Sequence, residues 1–409
     1  MKNSKLLAIL CFLAIGSLAL PSYASQIDIL VENLVDKGVL THGEAQQILT
    51  ETKEEMRAEL AQGKVEFLPS WVQGMKVGGD LRLRYQWEEK TGSEDRNRGR
   101  YRFRLGMEGK VNDKLKAAAG LATGGTDPRS TNQTMHNSFE TPDIRLDYAY
   151  ALWDINPQFM MEGGKMQGVK KLLFRPSDLL WDSDIHPEGG QLNFKTKVDS
   201  LDLFINNGFW VLDEIKTSSH DPFMFVIQPG FKYKFNGNTH LKAALAYYGF
   251  ENVQGSALDH SGGTNTLTSS NVLKYDYDAV APSVELGIKE PFGDVIPYLA
   301  IFGDYIYADD PGDNNKGWLA GVKFGDEKIK DFGHWQLKYQ YRELEKDAWL
   351  DTFPDSDTYG GITDVKGHEV VLAFGLGKNT ELNIDYYHSE RISSSKEQDL
   401  VQVDWIMKF

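Results

Sequence analysis

The stretch RYRFRLGME, residues 100–108, sets Arg100, Arg102 and Arg104 on every second position, with Tyr101, Phe103, Leu105 and Met107 between them. In an extended chain successive side chains leave on opposite faces. The stretch therefore has a cationic face and an apolar face. A nucleic acid could lie on the first, or the strand could stand between water and hydrocarbon. The bulk charge excludes nucleic acid as a partner. The 409-residue chain carries 44 Lys plus Arg against 59 Asp plus Glu, a net charge of -15, and binding a phosphate backbone needs a clustered positive surface.

The same alternation runs from about Met75 to Phe409. In MKVGGDLRLRYQW, residues 75–87, Val77, Leu81, Leu83, Tyr85 and Trp87 share one face, and Asp80, Arg82, Arg84 and Gln86 the other. In IRLDYAYALW, residues 144–153, strict alternation predicts Ile144, Leu146, Tyr148, Tyr150 and Leu152 outward. About 16 such segments of roughly 9–15 residues follow one another, the length of tilted membrane strands. Short polar turns at Asn112-Asp113, Asn156-Pro157, Asp199-Ser200, Asn236–Asn238, Glu290–Asp294 and Asn379-Thr380 alternate with long connections at 88–99, 125–142, 167–188, 210–221, 251–274, 308–316 and 347–365. A barrel with turns on one membrane face and loops on the other has this rhythm.

In hydrocarbon every unpaired backbone N–H or C=O is costly, so a spanning sheet must close on itself. Its apolar face then meets lipid and its polar face the interior. Arg82, Arg84, Arg100, Arg102, Arg104, Lys195, Lys197, Lys232, Lys234, Lys338 and Arg342 cannot all enter a dry core. A soluble sandwich could send them to solvent. Aromatic residues near strand ends oppose that reading: Tyr85, Trp87, Trp153, Phe209, Trp210, Tyr247, Tyr248, Tyr305 and Tyr307 are expected in the interfacial girdles. The expected fold class is an all-β transmembrane antiparallel barrel of about 16 strands with a small N-terminal α-helical segment. Mean hydropathy is -0.42, compatible with strands that show lipid every second side chain.

Residues 1–24 read as a secretory signal peptide: Lys2 and Lys5, an apolar run from Leu6 to Leu20, then Ser22-Tyr23-Ala24. The single cysteine, Cys11, lies within it, so the mature chain has no disulfide or thiolate metal site. Residues 25–66 form a helical, coiled-coil periplasmic segment in this reading. Ile27, Leu30 and Leu34 repeat at helical spacing, Gly38 stops the first helix, and Thr41 to Glu44 form a capping box for a second. Ala45, Leu49, Thr52, Met56 and Leu60 make its seam. That seam suits either association between subunits or a hairpin packed on itself. Residues 67–74 are a linker, and 75–409 the barrel.

The chain resembles the putative porin family of Gram-negative outer membranes, 16-stranded barrels with a short helical prefix. LVDKGVLTHGEAQQIL, residues 34–49, is similar to the prefix. GKMQGVKKLLFRPSDLLWDSDIHPEGGQLNF, residues 164–194, is similar to the segment joining the fifth and sixth strands. The last strand, VQVDWIMKF, ends on Phe409, like the signal by which outer-membrane barrels engage the barrel assembly machinery. The resemblance implies a homotrimer in outer-membrane lipid and lipopolysaccharide, passing small hydrophilic solutes or ions, with no cofactor. It also implies that residues 167–188 fold into the channel and narrow it. Arg82, Arg84, Arg100, Arg102, Arg104 and Arg145 would then line one wall. Asp178, Asp182, Asp184 and Glu188 would oppose them from a constriction loop that also carries Lys170, Lys171 and Arg175. Opposed rows of charge make a transverse field that orients polar solutes. An arginine-lined lumen would equally suit a channel selective for phosphate or other oxyanions.

Enzyme chemistry finds little support. His186, His334, His368 and His388 are scattered, and Asp259-His260 is a lone acid–His pair in a long loop. GLATGG, residues 120–125, lacks the Lys and helix of a phosphate loop. No metal site is expected. The acidic loop residues Asp309, Asp310 and Asp313 read as solvated, or as divalent-cation bridges to lipopolysaccharide.

Overall fold

The computed structural model describes residues 21–61 and 74–409. The leader through Leu20 and the joint at 62–73 lie outside these residues. The chain divides into two units, 1–76 and 77–409.

In the first unit, helices α1 (Pro21–Asp36) and α2 (His42–Ala61) pack on one another. Val31 and Ala45 are buried between them, while Ile29, Leu30, Val39 and Ile48 stay exposed. Glu44 accepts the Thr41 backbone N–H at 2.8 Å, and the Glu44 N–H donates to Thr41 Oγ1 at 3.3 Å, closing the capping box. These bonds from Thr41, backbone first and side chain second, hold the Glu44 carboxyl below its ordinary range.

The second unit is a 16-stranded antiparallel barrel. Its strands are β1 (Lys76–Lys90), β2 (Arg96–Lys110), β3 (Leu115–Ala122), β4 (Arg145–Asp154), β5 (Phe159–Lys165), β6 (Glu188–Val198), β7 (Leu201–Val211) and β8 (Phe223–Lys234). They continue as β9 (Thr239–Glu251), β10 (Ala279–Lys289), β11 (Tyr298–Ala308), β12 (Lys316–Gly325), β13 (Trp335–Leu344), β14 (Val365–Gly377), β15 (Thr380–Arg391) and β16 (Glu397–Lys408). Each pairs with its neighbours in sequence, and β16 returns to β1 in a ladder from Asp80↔Lys408 to Lys90↔Gln398. Closure leaves no edge, as hydrocarbon demands. A two-residue segment, Gln133–Thr134, pairs with β2 inside the connection after β3. Among the described residues no helix is long and apolar enough to cross a membrane.

The solubility pattern is inverted relative to a soluble barrel. Leu83 and Leu146 are 37% and 55% exposed, whereas Arg84 and Arg102 are 5% and 7% exposed. The charges of β1 and β2 point inward because Asp80, Arg82 and Arg84 share parity, and register carries that face to Lys408, Ile406 and Asp404 of β16.

Outward assignments are corrected in two places. In β4, Leu146 pairs with Leu121 and Tyr148 with Gly120, leaving Asp147 as the extra residue of a β-bulge. The bulge reverses parity, so Leu152 is buried and Trp153 is exposed. Tyr148 instead lies where side chains on Gly106 and Gly120 would stand. Trp210 and Tyr248, expected in the girdles, are 2% and 3% exposed and lie inside.

Candidate functional site

The interior of the barrel has two unlike walls. Strands β7 to β12 present Trp210, Met224, Val226, Ala246, Tyr248, Ala281, Phe302, Ile306 and Leu319, all buried. Strands β1, β2 and β13 to β16 present charge. Between the walls runs the connection after β5, residues 166–187, with one turn of helix α3 (Val169–Leu172). Its Leu172, Leu173, Leu179, Leu180 and Trp181 join the apolar wall in one buried cluster. Trp181 packs edge-on to Trp210 at 5.5 Å between ring centres and hydrogen-bonds Tyr248 Oη at 3.3 Å. The segment crosses the lumen because burying this apolar side stabilises it there, at about 25 cal/mol per Å2.

Its polar side meets the charged wall. Asp184 lies 3.3 Å from Arg104 and 4.0 Å from Arg102, and accepts from the Thr131 backbone N–H and hydroxyl. Asp178 lies 2.5 Å from Arg342. Burial alone would raise both carboxyls, but Arg102 and Arg104 hold Asp184, and Arg342 and Lys338 hold Asp178, well below the usual range. Among the described residues, Asp182 pairs with no arginine. It accepts backbone N–H groups of Ser356 and Asp184 at 2.8 and 2.9 Å, and burial together with Asp184 pushes it up to about 7.

The arginines are heavily paired. Arg84 grips Asp404 through two bonds of 2.6 and 2.7 Å and lies 3.4 Å from Asp357. Arg82 reaches Asn132 at 2.6 Å and Asp404 at 3.4 Å. Arg102 and Arg104 share Asp80 at 2.7 and 2.8 Å. Arg100 makes neutral contacts with Gln86 and Ser130. Arg145 stands apart, donating to the Gly124 carbonyl at 3.0 Å. Arg175 does not face the wall either: it pins its own segment through the carbonyls of Ser177 and Trp181 at 3.1 and 2.6 Å. Glu188 begins β6 and pairs with Lys165 at 2.7 Å, so it lies outside the inserted segment. Lys170 and Lys171 are exposed and line a cavity of about 640 Å3 with Arg102, Arg104 and Lys408.

Several partners escaped the sequence reading. Asp80 and Asp404 were legible by parity alone, standing on the same inward rows as the arginines. Asp355 and Asp357 were not. They belong to the connection 345–364, read as an ordinary outer loop, which also enters the lumen. Trp349 and Leu350 of that connection are fully buried, Trp349 Nε1 donates to the Leu180 carbonyl at 2.8 Å, and Phe353 stacks on Trp181 at 4.8 Å. Asp355 lies 3.4 Å from Arg342. Asp178, Asp355 and Glu369 bring carboxylate oxygens within 4.8 Å of one another, but Arg342 sits among them, 2.9 Å from Glu369.

A closed barrel with an apolar exterior, a charged bore and a segment folded across it defines a membrane channel of the porin type. Residues 88–289 and 275–409 match the family described as "Putative porin", and the chain belongs to that family. No curated protein matches. Among solved structures, the high-pH form of OprB from Pseudomonas putida is similar in fold, at 11% identity, over 86% of this chain and 97% of that one, with a TM-score of 0.56. OmpF of Salmonella typhi in complex with daunomycin matches at 14% identity over 81% and 97%, with a TM-score of 0.47. A loop-deleted OmpT of Vibrio cholerae matches at 12% over 81% and 99%, with a TM-score of 0.45.

Proposed function

We propose that this outer-membrane porin is a passive, water-filled pathway for small hydrophilic solutes and ions. One observation carries the reading: an amphipathic segment lies across the bore, its leucines on the apolar wall and its Asp178 and Asp184 toward arginines. Such a device shapes a channel and sets a field across it, and a purely structural barrel has no use for it. The proposal extends to export by the N-terminal signal peptide, a periplasmic site for the helical segment 25–66, insertion guided by Phe409, and assembly as a homotrimer in lipopolysaccharide-containing membrane. Phe409 supports the insertion step, since its ring lies 6.2 Å from Phe103 and its backbone pairs with Gly79 across the closing seam.

Purified protein in planar bilayers is expected to give stepwise openings in KCl and to let small sugars swell liposomes. Absence of both would overturn the reading. Arg102→Ala with Arg104→Ala is expected to shift the reversal potential in a salt gradient, because it leaves Asp80 and Asp184 uncompensated; an unmoved potential would remove the arginine wall from selectivity.

A further inference from the structure

The wall opposite the arginines holds lysines that form no ion pair among the described residues. On the turn side of the inserted segment a cavity of about 490 Å3 is lined by Lys195, Lys197, Lys232, Lys242, Asp202 and Phe204. Lys197, Asp202, Lys232 and Lys242 fall on one inward row by register, Lys197 opposite Asp202, Asp202 opposite Lys232 and Lys232 opposite Lys242, and Lys195 faces Phe204 on the adjacent row. Two acids flank the lysines and both are engaged elsewhere: Asp202 lies 3.3 Å from Lys234, and Glu285, which opposes Lys242 on β10, lies 3.1 Å from Lys323. Among the described residues, Lys195, Lys197, Lys232 and Lys242 form no ion pair. Like charges directly opposite on one face of a sheet repel; Lys232 faces Lys242 with an acid only on the outer side of each, Asp202 and Glu285, and an anion between the two ammonium groups relieves that repulsion.

The pocket has a built floor. Phe204 lies over Gly230, where any Cβ would meet its ring within 2.3 Å. Phe174 of the inserted segment packs edge-on to Phe204 at 6.5 Å. Lys242 Nζ stands 4.2 Å from the Phe174 ring centre and 5.2 Å from that of Phe204. The rings hold the ammonium by cation–π attraction. Gln228 fixes Phe174 by bonding its backbone N–H and carbonyl, each at 2.8 Å. The constriction and the lysines are thus one unit.

We propose that this lysine pocket is a binding site for a polyvalent oxyanion of the phosphate class. The inference rests on the channel reading and moves anion recognition away from Arg82, Arg84, Arg102 and Arg104, which are paired with Asp80, Asp184, Asp357 and Asp404. Four ammonium groups around a cavity supply charge and rotatable donors to an oxyanion, and a phosphate fits with water to spare.

The test uses the full chain in planar bilayers in KCl, with inorganic phosphate added at constant ionic strength. Phosphate in the millimolar range is expected to reduce the chloride current. The double variant K232Q/K242Q should raise the half-blocking concentration about tenfold or more, while K232R/K242R, which keeps the charge, retains the block. Lys328→Gln, on the exposed turn 326–334, controls for net charge and should not differ from the parent. A conducting wild-type channel that phosphate leaves untouched, or a block unchanged in K232Q/K242Q, overturns the proposal. A protein that passes no current in KCl overturns the channel reading instead. The site is then judged by calorimetric titration of phosphate into detergent-solubilised protein: heat that disappears in K232Q/K242Q supports it, and no heat from the wild type overturns it.

Discussion

The guanidinium of Arg84 is the clearest case of a side chain whose role lies in its partners. It is 5% exposed, holds both oxygens of Asp404, and leans on Asp357. Removing one member of a buried ion pair strands the other, a penalty of about 3–5 kcal/mol. Arg84→Leu is therefore expected to lower the guanidinium unfolding midpoint in lipid vesicles, read by tryptophan fluorescence. Adding Asp404→Asn should recover a large part of the loss, because the stranded carboxylate goes with it; Arg82, 3.4 Å from the same Asp404, then keeps a neutral partner. A double variant no more stable than Arg84→Leu alone would show that the loss comes from packing rather than charge. The three arginines of residues 100–104 differ in their partners. Arg102 and Arg104 share Asp80, and Arg100 rests on neutral groups. From sequence the counter-charge of the wall arginines is expected on the constriction loop; the structure supplies much of it from Asp80 and Asp404, on the same inward face.

At the scale of the strand, alternation was enough to give the architecture, because a period of two has only two phases and lipid tolerates only one of them. It failed where one residue breaks the count. The bulge at Asp147 leaves composition untouched, and Tyr148 is as plausible outside as inside until its place over Gly106 and Gly120 is seen. A bulged strand predicts its own repair: removing Asp147 joins Leu146 directly to Tyr148 with both already in their correct faces. That deletion, at the cost of the contact between Asp147 and His186 at 3.7 Å, should still give a heat-modifiable barrel on semi-native gels. Deleting Leu203 from the regular strand β7 reverses every later side chain up to the next turn and should abolish it. Equal tolerance of the two deletions would mean that register is not set by facing. The loops were less legible than the strands for a related reason. Residues 166–187 advertise their insertion through Leu172, Leu173, Leu179, Leu180 and Trp181. Residues 345–364 carry Trp349 and Phe353 among many aspartates, and nothing local says that those aspartates have arginines waiting for them.

Across the whole molecule the net charge of -15 conceals a division that matters more to a passing ion. Arginine and aspartate lie interleaved on one side of the bore, and unpaired lysine lies on the other, below the crossing segment. Two connections, not one, hold that crossing in place. Trp181 meets Trp349 at 5.4 Å and Phe353 at 4.8 Å, and the Asp182 backbone N–H donates to the Phe353 carbonyl at 2.8 Å. Each connection covers apolar surface that the other would leave bare. The second also delivers Asp355 and Asp357 to Arg342 and Arg84. Replacing residues 346–363 by a short Gly-Ser turn therefore removes volume from the bore and two carboxylates from its charged wall together. Single-channel conductance is expected to rise at least about twofold, and the reversal potential in a KCl gradient to move toward that of chloride, since Arg84 and Arg342 lose counter-charge that lies within screening range. Conductance that rises without a change in reversal potential would assign the connection a steric role alone. If neither moves, the path of ions does not pass between these two connections.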